Sequence, residues 1–132
     1  MTTVQALGLL AGRILLALIF VGAGYSKIGG FEDTAAYMAG KGLPMVEALL
    51  VATILIELGG GLLLAIGCKT RWAALAIILF LIPATLVFHA FWGLEAGEMN
   101  TQLIQFQKNL AIMGGLLYVL VSGPGRISVD RS

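Results

Sequence analysis

The stretch from Leu7 to Phe31, LGLLAGRILLALIFVGAGYSKIGGF, constrains this chain more than any other. A bilayer is crossed by about 20 apolar residues at ~1.5 Å rise each, and this run is long enough. It also carries two cations. At about 100° per residue, Arg13, Ala17, Phe20, Gly24 and Lys27 share one helix face. Placing an arginine deep in lipid costs roughly 2.5–3.5 kcal/mol, and each Leu, Ile, Phe or Val returns roughly 0.3–0.6. The apolar residues of the run offset one such charge, so the helix inserts, but Arg13 still needs a partner inside the protein.

Composition sets the class. Hydrophobic residues are 59% of the chain and charged residues 11%, whereas a soluble domain carries about 25% charged residues. Most of the surface therefore faces lipid. A chain of 132 residues has room for one domain with about four spans. The net charge of +1 offers no basis for nucleic-acid binding. Cys68 is the one cysteine and His89 the one histidine, so a single chain builds no disulfide, no thiolate cluster, no bis-histidine haem and no multi-histidine metal site. The first run is too long, and its start too poor in basic residues, for a typical cleaved signal peptide, and it reads as retained.

Taken in order, spans are expected at about 7–27, 46–66, 72–92 and 103–121. Gly8 and Gly12, and then Gly22 and Ser26, lie four apart, a spacing that lets helices approach closely. Between the first two spans, FEDTAAYMAGKG reads as a short interfacial helix with Phe31, Ala35 and Met38 on its apolar face, serving as a prop or a lid. Gly40, Gly42 and Pro44 end it. The second span holds Glu57, followed by Gly59-Gly60-Gly61, with Thr53, Glu57 and Gly61 on one face. Counted from the terminal side of the membrane, Arg13 and Glu57 both fall roughly 10–14 Å deep, which predicts an Arg13–Glu57 ion pair. Such a pair either fixes helix register or takes part in proton transfer or ligand anchoring.

The third span contains Pro83, with Thr85 and His89 on one face beyond it and Phe91 and Trp92 as an aromatic belt. In the fourth, Gln102, Gln105 and Asn109 share a face with Lys108 beside them, and Gly114-Gly115 marks a close-packing point. The expected architecture is an all-α membrane protein, a four-helix transmembrane bundle with a short interfacial helix between spans one and two. It has two polar layers: Arg13 with Glu57, and Lys27, His89, Gln105, Lys108 and Asn109 on the other side. Glu57 and His89 are the candidate catalytic groups, and Lys27, His89, Lys108 and Asn109 the candidate ligand-binding ones. Lys69, Arg71, Arg126 and Arg131 fall on the terminal side, which places both termini in the cytoplasm.

The stretches GRILLALIFVGAGYSKIGGF, MAGKGLP, ELGGGLLLAIGCKTRWAAL, ATLVFH, FQKNLAIMGGLL and GPGRISVD together resemble the DoxX family over nearly the whole chain. The resemblance implies a small four-span protein of the bacterial cytoplasmic membrane. It also implies kinship with a membrane subunit associated with a thiosulfate:quinone oxidoreductase, and with the membrane part of an assembly containing superoxide dismutase. By position, the family-like polar residues are Arg13, Lys27, Glu57, His89, Lys108 and Asn109. Three functions follow as alternatives. One is a quinone-interacting subunit that takes electrons from a soluble oxidoreductase partner. Another is a scaffold or anchor for soluble partners. The third is a small transporter, whose pore would require a homo-oligomer.

Overall fold

The computed structural model describes residues 1–131, and all its regular elements are helices. In chain order they are α1 (Thr3–Gly29), α2 (Phe31–Gly40), α3 (Val46–Ile66), α4 (Thr70–Phe88) and α5 (Ala96–Ser122). Among the described residues, α1, α3, α4 and α5 are long and apolar enough to cross a membrane. The helix α2 is the short amphipathic element between spans one and two. Its Ala35 and Met38 are buried with Leu50 of α3, and Phe31, Leu43, Val46, Ile54 and Phe88 pack around them.

The outer spans exceed their apolar runs. α1 starts at Thr3 because Thr2 and Gln5 form a reciprocal cap. Gln5 N donates to Thr2 Oγ1 at 3.1 Å, and Thr2 N donates to Gln5 Oε1 at 2.8 Å. α5 starts at Ala96, so its polar approach is helical too. α4 stops at Phe88 with His89 as its cap, which leaves Phe91 and Trp92 in the following turn, packed edge-on against Phe106.

The stripe on α1 is buried as its periodicity requires: Arg13, Ala17, Phe20 and Gly24, with Ala6 two turns earlier. Ala17 and Phe20 join Leu64, Ala74, Ile77, Ile78, Leu81, Leu116 and Val119 in the main core. Leu15, Leu18 and Ile19 on the same helix are more than half exposed, as a membrane face should be. Small residues do bring helices together, at positions other than those the four-residue spacing indicates. Nothing approaches a side chain built at Gly8, Gly12 or Gly22, and Ser26 is exposed. The close contacts are at Gly24, where a Cβ would lie 2.8 Å from Leu58 N, and at Gly61, 2.9 Å from Val21 Cγ2. The spacing rule marks small residues but leaves open which of them face a neighbour. At the second glycine pair, Gly114 is open and Gly115 meets Leu16.

Two features shape the bundle ends and middle. In α3 the turn Leu55–Gly59 is a π-turn, with α-helix on both sides. It carries Glu57 and runs into three glycines, which have weak preference for α geometry. At the terminal side, Gly67 takes φ +72° to turn the chain from α3 to α4. The segment after α5 then folds back over this turn. Val129 N donates to Ile66 O at 3.1 Å and Asp130 N to Gly67 O at 2.9 Å.

Candidate functional site

The structure replaces the Arg13–Glu57 pair with two separate arrangements. Arg13 is buried at the terminal end of α3, where its Nη1 donates to Leu64 O (3.2 Å) and Ala65 O (2.9 Å) and its Nη2 to Ile127 O. These are carbonyls left free at a helix C-terminus, where partial negative charge accumulates, plus one from the returning tail. The depth count failed because the helices are staggered. Antiparallel packing sets Val21 against Gly61 and Gly24 against Leu58, so Arg13 meets the last turn of α3, well short of Glu57. Among the described residues no acid contacts Arg13, and its buried Nε finds no partner.

Glu57 pairs instead with Lys27. Lys27 Nζ is 2.7 Å from Glu57 Oε1, with Glu57 almost fully buried and Lys27 partly exposed. The contact is a short ion pair between a buried carboxylate and a cation that reaches the surface. Lys27 closes the last turn of α1, where a cation also meets the negative end of the helix dipole.

Around this pair lies a cavity of about 350 Å³. Its walls are mostly apolar: Phe20, Met38, Leu50, Phe80, Leu81, Phe88 and Ile112. Into it converge Lys27, Thr34, Tyr37, Thr53, Glu57, His89, Gln105 and Asn109, drawn from α1, α2, α3, α5 and the cap of α4. Asn109 Nδ2 donates to Thr85 Oγ1 at 3.0 Å, which anchors its amide. His89 Nδ1 lies 3.0 Å from Gln102 Oε1. With that oxygen as acceptor, Nδ1 carries the proton and the neutral ring keeps a lone pair on Nε2. Such a cavity accepts an apolar body and offers cationic and amide donors to oxygen atoms at its edges.

Of the candidate residues, Lys27, Glu57, His89 and Asn109 meet at this cavity. Arg13 does not. Lys108 is exposed and does not line it, because one residue step along α5 turns a side chain by about 100° away from Asn109. The sequence reading missed Thr34 and Tyr37, contributed by α2. Their three-residue spacing, continued by Met38, places them on one helix face, and that was the available signal. Tyr37 also stacks on Phe88, with ring centroids 5.7 Å apart.

Fold and site together define a four-span helical membrane protein with a polar pocket in the half of the bundle away from the termini. Residues 8–90 match the family described as DoxX. The inner membrane protein YqjF of Escherichia coli K12 is 37% identical over 131 residues, covering 99% of this chain and 95% of that protein. The inner membrane protein YphA of the same organism is 33% identical over 123 residues, covering 93% and 88%. A Surfeit locus protein 4 homolog of Schizosaccharomyces pombe is 30% identical over 124 residues, covering 92% of this chain but 36% of that larger protein. No solved structure matches. The chain belongs to the DoxX family.

Proposed function

We propose that this chain is an inner-membrane, quinone-docking subunit of an oxidoreductase assembly, with both termini in the cytoplasm. The observation that carries this reading is the convergence of Lys27, His89 and Asn109 on an aromatic-walled cavity of about 350 Å³. A quinone is a flat apolar ring with two carbonyl oxygens, and it needs an apolar slot with donors at the edges. Phe20, Phe80 and Phe88 supply ring contacts, and Lys27 or Asn109 donates to a carbonyl oxygen. The Lys27 ammonium stabilises negative charge gained on reduction. His89 lines the cavity at the cap of α4 and is partly exposed, where an imidazole can pass protons to water. The two electrons come from a soluble partner protein, and the two protons that complete the quinol come from water through His89. Homologous inner-membrane proteins and the basic residues Lys69, Arg71, Arg126 and Arg131 at the terminal side support the placement.

A proton path through one chain finds less support. Between Arg13 and the Lys27–Glu57 layer lie Ala17, Phe20, Leu64, Ile77 and Leu116, which are buried and apolar. The scaffold reading draws on Arg13, whose bonds all go to backbone carbonyls and serve architecture.

Thermal unfolding of the purified protein in mild detergent, with and without a short-tailed benzoquinone, tests the proposal. A rise in Tm that is lost in Asn109→Leu and kept in Lys108→Ala is expected. A wild-type Tm unmoved by benzoquinones and naphthoquinones alike would leave the scaffold reading in its place.

A further inference from the structure

The cavity borders a gap between α1 and α5. In the half of the bundle away from the termini, the long helices are fastened as two pairs. α1 is held to α3 by the 2.7 Å Lys27–Glu57 contact and by the close approach of Gly24 to Leu58. α5 is held to α4 by the Asn109–Thr85 bond at 3.0 Å, the His89–Gln102 contact at 3.0 Å and the Phe91–Phe106 ring pair. The two pairs join nearer the termini, where Leu16 sits over Gly115, 3.2 Å from the position of a Cβ there. Beyond that level the gap between α3 and α4 is covered by α2, through Met38 on Leu50 and Tyr37 on Phe88. Among the described residues no element covers the gap between α1 and α5. Ile19 lines the cavity and is also 52% exposed. Gln105 and Ile112 face it from α5 and are partly exposed. A side chain that is both cavity wall and membrane face marks a place where the cavity and the lipid are continuous.

We propose that the α1–α5 gap is a lateral portal to the bilayer. A ligand's head sits at Lys27 and Asn109 while its hydrocarbon tail passes between Ile19 and Ala23 on one lip and Ile112 on the other. The site therefore takes a lipid-dissolved quinone carrying an isoprenoid tail. This rests on the quinone reading above and adds the route and the class of quinone. The lips fit the tail by chemistry, since a charged or hydrogen-bonded gate at this depth would face hydrocarbon without partners.

Photolabelling of the full chain in lipid nanodiscs tests the route. The probe is a benzoquinone with an isoprenoid tail ending in a diazirine, and the competitor is the same ring without a tail. Label is expected on the α1 peptide around Ile19 and Ala23 and on the α5 peptide around Ile112, and it should fall as competitor is added. Competed label confined to α2 or to residues 89–95 overturns the portal and leaves the quinone site standing. Label that no competitor reduces overturns both. Ile112→Trp, which narrows the gap, provides a second arm. It should weaken the tailed quinone by about tenfold more than the untailed one. Equal loss of both quinones counts against a portal.

Discussion

Lys27 Nζ lies 2.7 Å from Glu57 Oε1, tying the last turn of α1 to the π-turn of α3 at the wall of the cavity. The two partners differ in burial, with side chains 29% and 8% exposed. Their removal should therefore be unequal. Lys27→Met strands a buried carboxylate and should cost about 3–5 kcal/mol. Glu57→Gln leaves a lysine that can turn toward the interface and should cost about 1–2 kcal/mol. The double variant Lys27→Met/Glu57→Leu should recover most of the Lys27→Met loss. Denaturation of the four proteins in one detergent checks the cycle, and equal single-variant losses would contradict the burial argument.

Gly24 and Gly22 make a matched comparison on one helix. A Cβ at Gly24 would press on Leu58 backbone at 2.8 Å, while nothing approaches Gly22. Gly24→Ala should destabilise by about 1–3 kcal/mol, because the α1–α3 backbones must separate. Gly22→Ala should be neutral or stabilising by up to about 1 kcal/mol. Unfolding midpoints of the two variants decide this.

Arg13 joins the end of α3 to the tail after α5 through three backbone carbonyls. Arg13→Lys has too few donors in the right fork to reach all three. It should lose about 2–4 kcal/mol of stability and expose the segment from Gly123 to Asp130 to proteolysis. Quinone binding should survive, since Arg13 does not line the cavity. Limited proteolysis and a binding titration on the same sample check both halves.

Asp130 caps α4, accepting from Lys69 N at 2.8 Å, Thr70 N at 2.9 Å and Thr70 Oγ1 at 2.8 Å. These bonds, with the Thr70 backbone contribution largest, hold its carboxyl below the ordinary value of 3.8, and Arg13 adds to the effect. A carboxyl with a lowered folded-state value contributes stability that is complete above the ordinary value and lost as pH falls through the lowered one. The Tm of the wild-type protein should therefore drop on acidification below about pH 4, and Asp130→Asn should start lower and drop less. Parallel pH curves for the two proteins would remove Asp130 from the account.

Much of this was legible in the sequence. Four apolar runs and the i, i+3/i+4 pattern of FEDTAAYMAG foretell the spans and α2, because hydrocarbon demands uninterrupted helices and periodicity reports which side is buried. The stripe Arg13–Ala17–Phe20–Gly24 lies on the buried face for the same reason. Periodicity does not report stagger, and stagger decides that Arg13 meets Leu64 and Ala65 while Lys27 meets Glu57. It also cannot reveal that the tail returns to supply Ile127 O, a contact made across 114 residues. Lys108 carries a suitable donor, but its step of about 100° from Asn109 turns it off the cavity wall. The π-turn at Glu57 has no firm sequence signature beyond the glycines that follow.

The central claim is that the cavity at Lys27, His89 and Asn109 holds a quinone head. The most direct test is to purify the protein from its membrane in mild detergent, extract it with organic solvent, and quantify quinone by absorbance and mass. The account predicts a retained isoprenoid quinone approaching one per chain, greatly reduced in Asn109→Leu and His89→Ala but not in Lys108→Ala. A wild-type protein that carries no more quinone than an unrelated membrane protein prepared alongside it would contradict the claim.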